Sequence, residues 1–206
     1  MKDEGGSMSA IDERRTVRRY SSRPVDEKTI QALLAAATRA PSPHNRQPWR
    51  FAVVTGPSRA RLASAMGERL RADLTRDAAA PEAIERDVAR SCQRIASAPA
   101  LILACLTMID MDEYPDPPRN EAEHWMAGQA VAAAIQNLLL AAAELGLGAC
   151  WMCAPLFCPD AVVACLGLPS DWQPQALITL GHPAPDSPPT RRERRPVSEV
   201  SLRTEP

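Results

Sequence analysis

The chain has 206 residues, 45% hydrophobic and 24% charged, which is the composition of one globular domain with a sizeable core. A formal net charge of −1 excludes a general attraction to nucleic acid or to an acidic membrane surface, so basic clusters have to be read locally. Six cysteines follow a polar start, MKDEGGSMSA, that lacks an apolar leader, and together these predict free thiols in a reducing, cytoplasmic compartment rather than a disulfide framework.

Residues 1–8 are expected to form a disordered leader, and 9–206 a single domain whose last stretch, about 183–206, is an extended arm. A short helix from about Ser9 leads into the basic run Arg14-Arg-Thr-Val-Arg-Arg-Tyr20. Arg14, Arg15, Arg18 and Arg19 are expected to bracket Thr16 within one or two helical turns, with only Asp12 and Glu13 nearby. A charge run is usually a solvated face, but this density of guanidinium groups around a hydroxyl also suits a phosphate monoester. Asp26 then caps a helix running to about Arg39, with Ile30, Leu33, Leu34 and Ala37 at helical spacing.

The stretch APSPHNRQPWRF, Ala40 to Phe51, is a stiff loop. Pro41, Pro43 and Pro48 fix their own φ and keep the residues before them out of the helical region. Ser42, His44, Asn45 and Gln47 are held at defined angles, which suits reading the edge of a flat polar ligand at small entropic cost. An ordinary helix-to-strand turn is the other reading. A strand over 49–55 follows, then two helices with Arg- and Glu-rich outer faces, 58–75 and 82–97, expected to be peripheral. The run PALILACL, 99–106, predicts a central strand buried on both faces.

An acidic, Pro-rich loop at 110–120 precedes the longest helix, 121–145. It is apolar nearly all round, which places it in the middle of the molecule or in a subunit interface. Gln129, Gln136, Asn137 and Glu144 argue against a membrane span. A strand over 149–153, a turn at 154–157, a short helix over 160–166 and a strand over 175–180 complete the domain. The imperfect alternation predicts an α+β fold, a mixed sheet with helices on both faces.

Cys150, Cys153, Cys158 and Cys165 are spaced C-x2-C-x4-C-x6-C, but apolar residues surround them and Cys165 sits on an amphipathic helix, so no metal site is expected. Neither a dinucleotide G-x-G-x-x-G nor a P-loop is present. Three scattered histidines give no nucleophile–base constellation, and no catalytic side chain is assigned. Chemistry in such a chain is left to a bound cofactor. The basic runs 14–23 and 191–195 lie at opposite ends of the sequence and could close on one anion, since domain termini are often neighbours.

Read in order, RRTVRRY, APSPHNRQPW, the Ala-rich helix, GLGACWM with its turn, and RRERRPVSEV resemble the FMN-dependent nitroreductase superfamily over nearly the whole chain. The middle and end are similar in particular to the reductase domain fused to the γ-glutamyl ligase of coenzyme F-420 synthesis and to its stand-alone relatives. The resemblance implies a largely antiparallel central sheet and an intertwined homodimer with FMN at the interface. It also implies a small-molecule substrate and no nucleic-acid or membrane partner. Carried over by position, Arg14, Arg15, Thr16 and Arg18 take the phosphate and ribityl end, with Arg195 closing the phosphate site. Ser42, Pro43, His44, Asn45 and Gln47 of the other subunit line the flavin edge. Cys153, Ala154, Pro155 and Leu156 lie against the isoalloxazine, and because Pro155 has no N–H, a donor to flavin N5 is left to Ala154 or Leu156. The implied reaction is ping-pong hydride transfer, from NAD(P)H or a reduced deazaflavin to a nitro, quinone or ene acceptor. A flavin-binding or sensing module without turnover is one alternative, and a metal protein built on the cysteines is a second, less favoured one.

Overall fold

The fold is organised around strand β2, Ala100–Leu106, all seven residues of which are buried. In this computed structural model, which describes residues 6–186 and 192–204, β2 is the second of four strands. The others are β1 (Trp49–Val54), β3 (Gly148–Met152) and β4 (Gln173–Gly181), in the order β1-β2-β4-β3, every neighbouring pair antiparallel. Side chains alternate across a strand, so β2 serves two cores at once. Ile102, Ala104 and Leu106 enter one, and Leu101, Leu103 and Cys105 the other. Each Leu or Ile buried in this way stabilises the fold by roughly 1.5–3 kcal/mol before chain entropy is subtracted.

The first core is closed by α2 (Glu27–Ala37) and α5 (Pro117–Glu144). In α2, Asp26 accepts a hydrogen bond from the Thr29 amide at 2.7 Å, and Ile30, Leu33 and Ala37 are buried. In α5, the buried residues Ala127, Ala130, Val131, Ala134, Ile135, Leu138, Leu139 and Ala142 form a single stripe of helical period. The helix is apolar enough by length and composition to cross a membrane, but that stripe lies in the core. It starts one turn earlier than its sequence suggested, because Asp116 caps it by accepting from the Arg119 amide at 3.1 Å and prolines occupy the first turn.

The second core is covered by α3 (Ser58–Arg76), α4 (Pro81–Ala96) and α6 (Pro159–Leu166). Leu62, Ala63 and Met66 of α3 and Ile95 of α4 belong to it, so these helices are less peripheral than expected on their inner faces. At the N-terminus α1 spans Gly6–Glu13, so residues 6–8, read as leader, are helical, while residues 1–5 lie outside the described set. The arm ends in a single turn, α7 (Val197–Val200); its residues 187–191 and 205–206 are likewise outside. One parallel contact makes the sheet mixed: Thr16 bridges Ala149 at the free edge of β3.

Candidate functional site

The basic run folds as an extended edge segment rather than as helical turns. After α1 closes, the Val17 amide donates to the Ala149 carbonyl at 3.0 Å, and the Ser21 amide donates to His182 at 2.9 Å. The alternation of extended chain then sorts the side chains. Val17 is buried at 5% exposure, whereas Thr16 and Arg18 are exposed. Gly148 makes this approach possible: a Cβ there would lie 2.6 Å from Val17 Cβ. The Tyr20 hydroxyl locks the far end, 2.7 Å from the Val17 carbonyl and 2.7 Å from Thr179 Oγ1, and its burial pushes its pKa well above the usual tyrosine range.

A cleft of about 810 Å³ opens beside this segment. Arg14, Arg15, Thr16, Arg18, Arg19 and Tyr20 line one side, Arg90, Gln93, Arg94 and Ser97 of α4 the other, and Arg192 and Arg194 of the arm contribute as well. Among the described residues eight of those lining it are arginines and none is acidic. Arg19 pairs with Asp186 at 2.8 Å and Arg90 with Asp87 at 2.9 Å. Arg15 donates to the Asp12 and Arg14 carbonyls. Among the described residues Arg14, Arg18 and Arg94 have no carboxylate partner within 4.0 Å. Burial raises the pKa of Cys150, and Arg18 and Arg94 both work against that rise, so guanidiniums from two separate elements converge on one thiol. Arg195 is exposed and does not line the cleft; Arg192 and Arg194 stand there instead.

The α4 residues were not expected from the sequence. Their signal was present: Arg90, Gln93, Arg94 and Ser97 recur at i, i+3, i+4 and i+7, opposite the buried Ile84, Val88 and Ile95.

The loop over 40–48 is strained where polar side chains are presented. His44, Asn45 and Gln47 have φ of 46°, 54° and 52°, a left-handed region that costs non-glycine residues roughly 1–2 kcal/mol each. Local hydrogen bonds over-determine this shape. The Gln47 amide donates to Ser42 Oγ at 3.0 Å, the Asn45 amide to the Ser42 carbonyl at 3.1 Å, and the Arg46 amide to Pro43 at 2.8 Å. Arg46 then pairs with Asp112 at 2.5 Å, tying the loop to the acidic stretch before α5. The Asp112 amide in turn donates at 3.3 Å to the buried Glu123. Ser42 and Pro43 are half-buried, and His44, Asn45 and Gln47 are exposed.

The turn after β3 is a 3-10 segment over Ala154–Phe157. Pro155 is buried and Cys153 exposed. The Leu156 amide is used within the turn, donating to the Cys153 carbonyl at 3.0 Å. The Ala154 amide makes no backbone hydrogen bond among the described residues. Leu156 also lines a second cleft of about 540 Å³ with His124, Trp172, Gln173 and Pro174, where His124 Nε2 lies 2.8 Å from Gln173 Oε1. None of residues 42–47 or 153–156 lines the arginine cleft, so one chain holds the predicted site residues as separate groups. Cys150 and Cys158 are buried and Cys165 half-buried; among the described residues no three His, Cys, Asp or Glu side chains gather as a metal cluster.

The nitroreductase family model matches residues 11–182. The chain is 33% identical over 201 residues to an NADH dehydrogenase of Thermus thermophilus, covering 92% of this chain and 91% of that one. It is 32% identical over 191 residues to the 5,6-dimethylbenzimidazole synthase of Rhodospirillum rubrum, covering 91% and 82%. A nitroreductase-type structure from Desulfovibrio desulfuricans, solved in complex with FMN, is 27% identical and superposes with a TM-score of 0.72 over 100% of this chain and 99% of that one. With a match that spans the basic segment, the strained loop and all four strands, the chain belongs to the nitroreductase family.

Proposed function

We propose that this chain moves hydride in two half-reactions, from a reduced nicotinamide or deazaflavin donor to a nitro, quinone or ene acceptor, at two FMN sites of a homodimer. As a member of the nitroreductase family it is an FMN-dependent oxidoreductase. The observation that carries the reading is a cleft lined by eight arginines and, among the described residues, by no acid, with Arg14, Arg18 and Arg94 lacking a carboxylate partner. Several guanidiniums without acidic partners repel one another, and a dianionic phosphate relieves that repulsion. FMN fits the residues on this ground.

Arg14, Arg15, Thr16 and Arg18 hold the phosphate and ribityl end, with the arm closing over them through Arg192 and Arg194, which line the cleft, rather than through Arg195. Ser42, Pro43, His44, Asn45 and Gln47 of the partner protomer present the flavin edge with fixed polar groups, so little freedom is lost on binding. Cys153, Ala154, Pro155 and Leu156 back the ring, and the free Ala154 amide is the donor toward N5, since the Leu156 amide is already engaged. When bound, FMN supplies hydride acceptance and donation at N5. The chain's part is to stack, orient and exclude water, and no side chain acts as nucleophile or base. The dimer reading is supported by exposed apolar groups near these elements: Trp125 at 66% and Phe157 at 72% exposure.

The similarity to a curated NADH dehydrogenase favours a nicotinamide donor. The dehydro precursor of coenzyme F-420 stays among the ene acceptors on the sequence resemblance alone. The cytoplasm is the compartment that suits six free thiols. The test is a visible spectrum after FMN loading and gel filtration, followed by anaerobic addition of NADH, NADPH or reduced deazaflavin. Retention of about one flavin per chain and bleaching by one donor are expected. A protein that retains no flavin overturns the assignment, and one that retains flavin which no donor bleaches is a binding module.

A further inference from the structure

We propose that the arginine cleft holds two phosphate subsites, and that Arg90 and Arg94 of α4 form the second, which takes a ribose-borne phosphate of a nucleotide bound together with FMN. The inference rests on the flavin reading for its first subsite. Three observations carry it.

The first is charge. Among the described residues eight arginines line the cleft and no acid does. A phosphate monoester brings at most about two negative charges, which Arg14, Arg15 and Arg18 around Thr16 already match. The second is the design of α4. Arg90 and Arg94 are like charges at i, i+4, an arrangement that weakens a helix unless something anionic sits against it. On the cleft side no acid does so. Asp87 pairs with Arg90 at 2.9 Å, but the Arg90 side chain is exposed and the half-buried Asp87 also lies 3.5 Å from Arg86, so it neutralises Arg90 only in part and leaves it able to take a stronger anion. Arg94 is half-buried and has no carboxylate partner among the described residues. Gln93 and Ser97 complete the same face with neutral donors and acceptors suited to ribose hydroxyls. The third is room. The flavin ring is assigned to the loop and the turn, which do not line this cleft, so about 810 Å³ is more than a phosphate and a ribityl chain require.

A 2′-phosphate on a nicotinamide donor has this chemistry, and Arg90 and Arg94 would then select NADPH over NADH. The experiment is calorimetric titration of adenosine 2′,5′-bisphosphate into FMN-loaded wild-type protein and into the variants Arg94→Gln and Arg90→Gln/Arg94→Gln, with circular dichroism to check folding. The expected result is about one bisphosphate bound per FMN-loaded chain, weakened roughly tenfold or more in the double variant, with FMN retention unchanged. In turnover, the KM for NADPH rises in both variants while that for NADH and kcat stay level. Absence of binding to FMN-loaded protein, competition between bisphosphate and FMN, or parallel loss of FMN in the variants overturns the second subsite. If the wild type retains no flavin, the flavin reading fails, and a titration of flavin-free protein with inorganic phosphate decides the subsite: two ions per chain uphold it and one removes it.

Discussion

Replacing Gly148 by Ala tests whether the basic segment owes its position to the missing side chain. An added Cβ would sit 2.6 Å from Val17 Cβ and 2.7 Å from both Val17 methyl carbons, about 1 Å inside ordinary contact distance. Val17 is buried at 5% exposure against Ala149 and cannot rotate away. The segment itself must move, which strains the 3.0 Å hydrogen bond from the Val17 amide to Ala149 and the 2.7 Å bond from Tyr20 to the Val17 carbonyl. Overpacking of this kind costs about 1–3 kcal/mol, and weakening one hydrogen bond adds about 1 kcal/mol. In a chain of this size that corresponds to a Tm lower by roughly 4–16 °C. Arg14, Arg15 and Arg18 move with the segment, so FMN retention falls more steeply than stability does. The assay is thermal unfolding with and without FMN, alongside a flavin dissociation constant. A variant with wild-type Tm and wild-type flavin affinity would refute the argument that Gly148 sets the site.

Further predictions bear on separate parts of the molecule. Tyr20→Phe removes one hydroxyl hydrogen-bonded in a half-buried site and should cost about 1–2 kcal/mol in chemical denaturation. His44→Gly releases left-handed strain and should leave the fold equally stable or more stable by up to about 1 kcal/mol, while flavin turnover drops because the loop loses its preorganised shape. Asp112→Asn breaks the pair with Arg46, changes stability by less than about 1 kcal/mol, and weakens FMN retention several-fold through the same loop. Burial pushes the Cys105 thiol from 9.0 up to about 12. A raised folded pKa means the unfolded chain releases its proton first, so this contribution is complete below about pH 9 and is lost as pH rises toward 12. Cys105→Ala should flatten the alkaline limb of a stability–pH curve; an unchanged slope in urea titrations at pH 8 to 10.5 would count against it.

The parts of the molecule that were legible in the sequence are those in which one periodicity determines the outcome. The run over 99–106 could only be a strand buried twice, and β2 is so. The Asp26 cap and the spacing of Ile30, Leu33 and Ala37 define α2 within two residues of its end. The basic run misled in local geometry, because charge density says nothing about backbone period. Arg14 to Tyr20 reads as helical turns, whereas the edge of β3 and the absence of a Cβ at Gly148 draw it into an extended bridge. That pairing depends on residues more than 130 positions away, which no local pattern records. The strain at His44, Asn45 and Gln47 was hidden for a related reason. Prolines announce a stiff loop, but left-handed φ at non-glycine positions is imposed by surrounding hydrogen bonds, not by the residues' own preference.

The polar face of α4 makes the converse case. Its spacing was readable, yet an Arg-rich face on an amphipathic helix is ordinarily solvated, and nothing local separates a solvated arginine from one that lines a site. Packing supplies the distinction. α3 and the second core fix the helix by Ile84, Val88 and Ile95, and that choice of inner face turns Arg90 and Arg94 toward Arg18 across the cleft. Burial on one face of a helix therefore decides where charge accumulates on the other. In this chain it gathers guanidiniums from α4 and from the N-terminal edge segment around Cys150, with no acid among the residues lining the cleft.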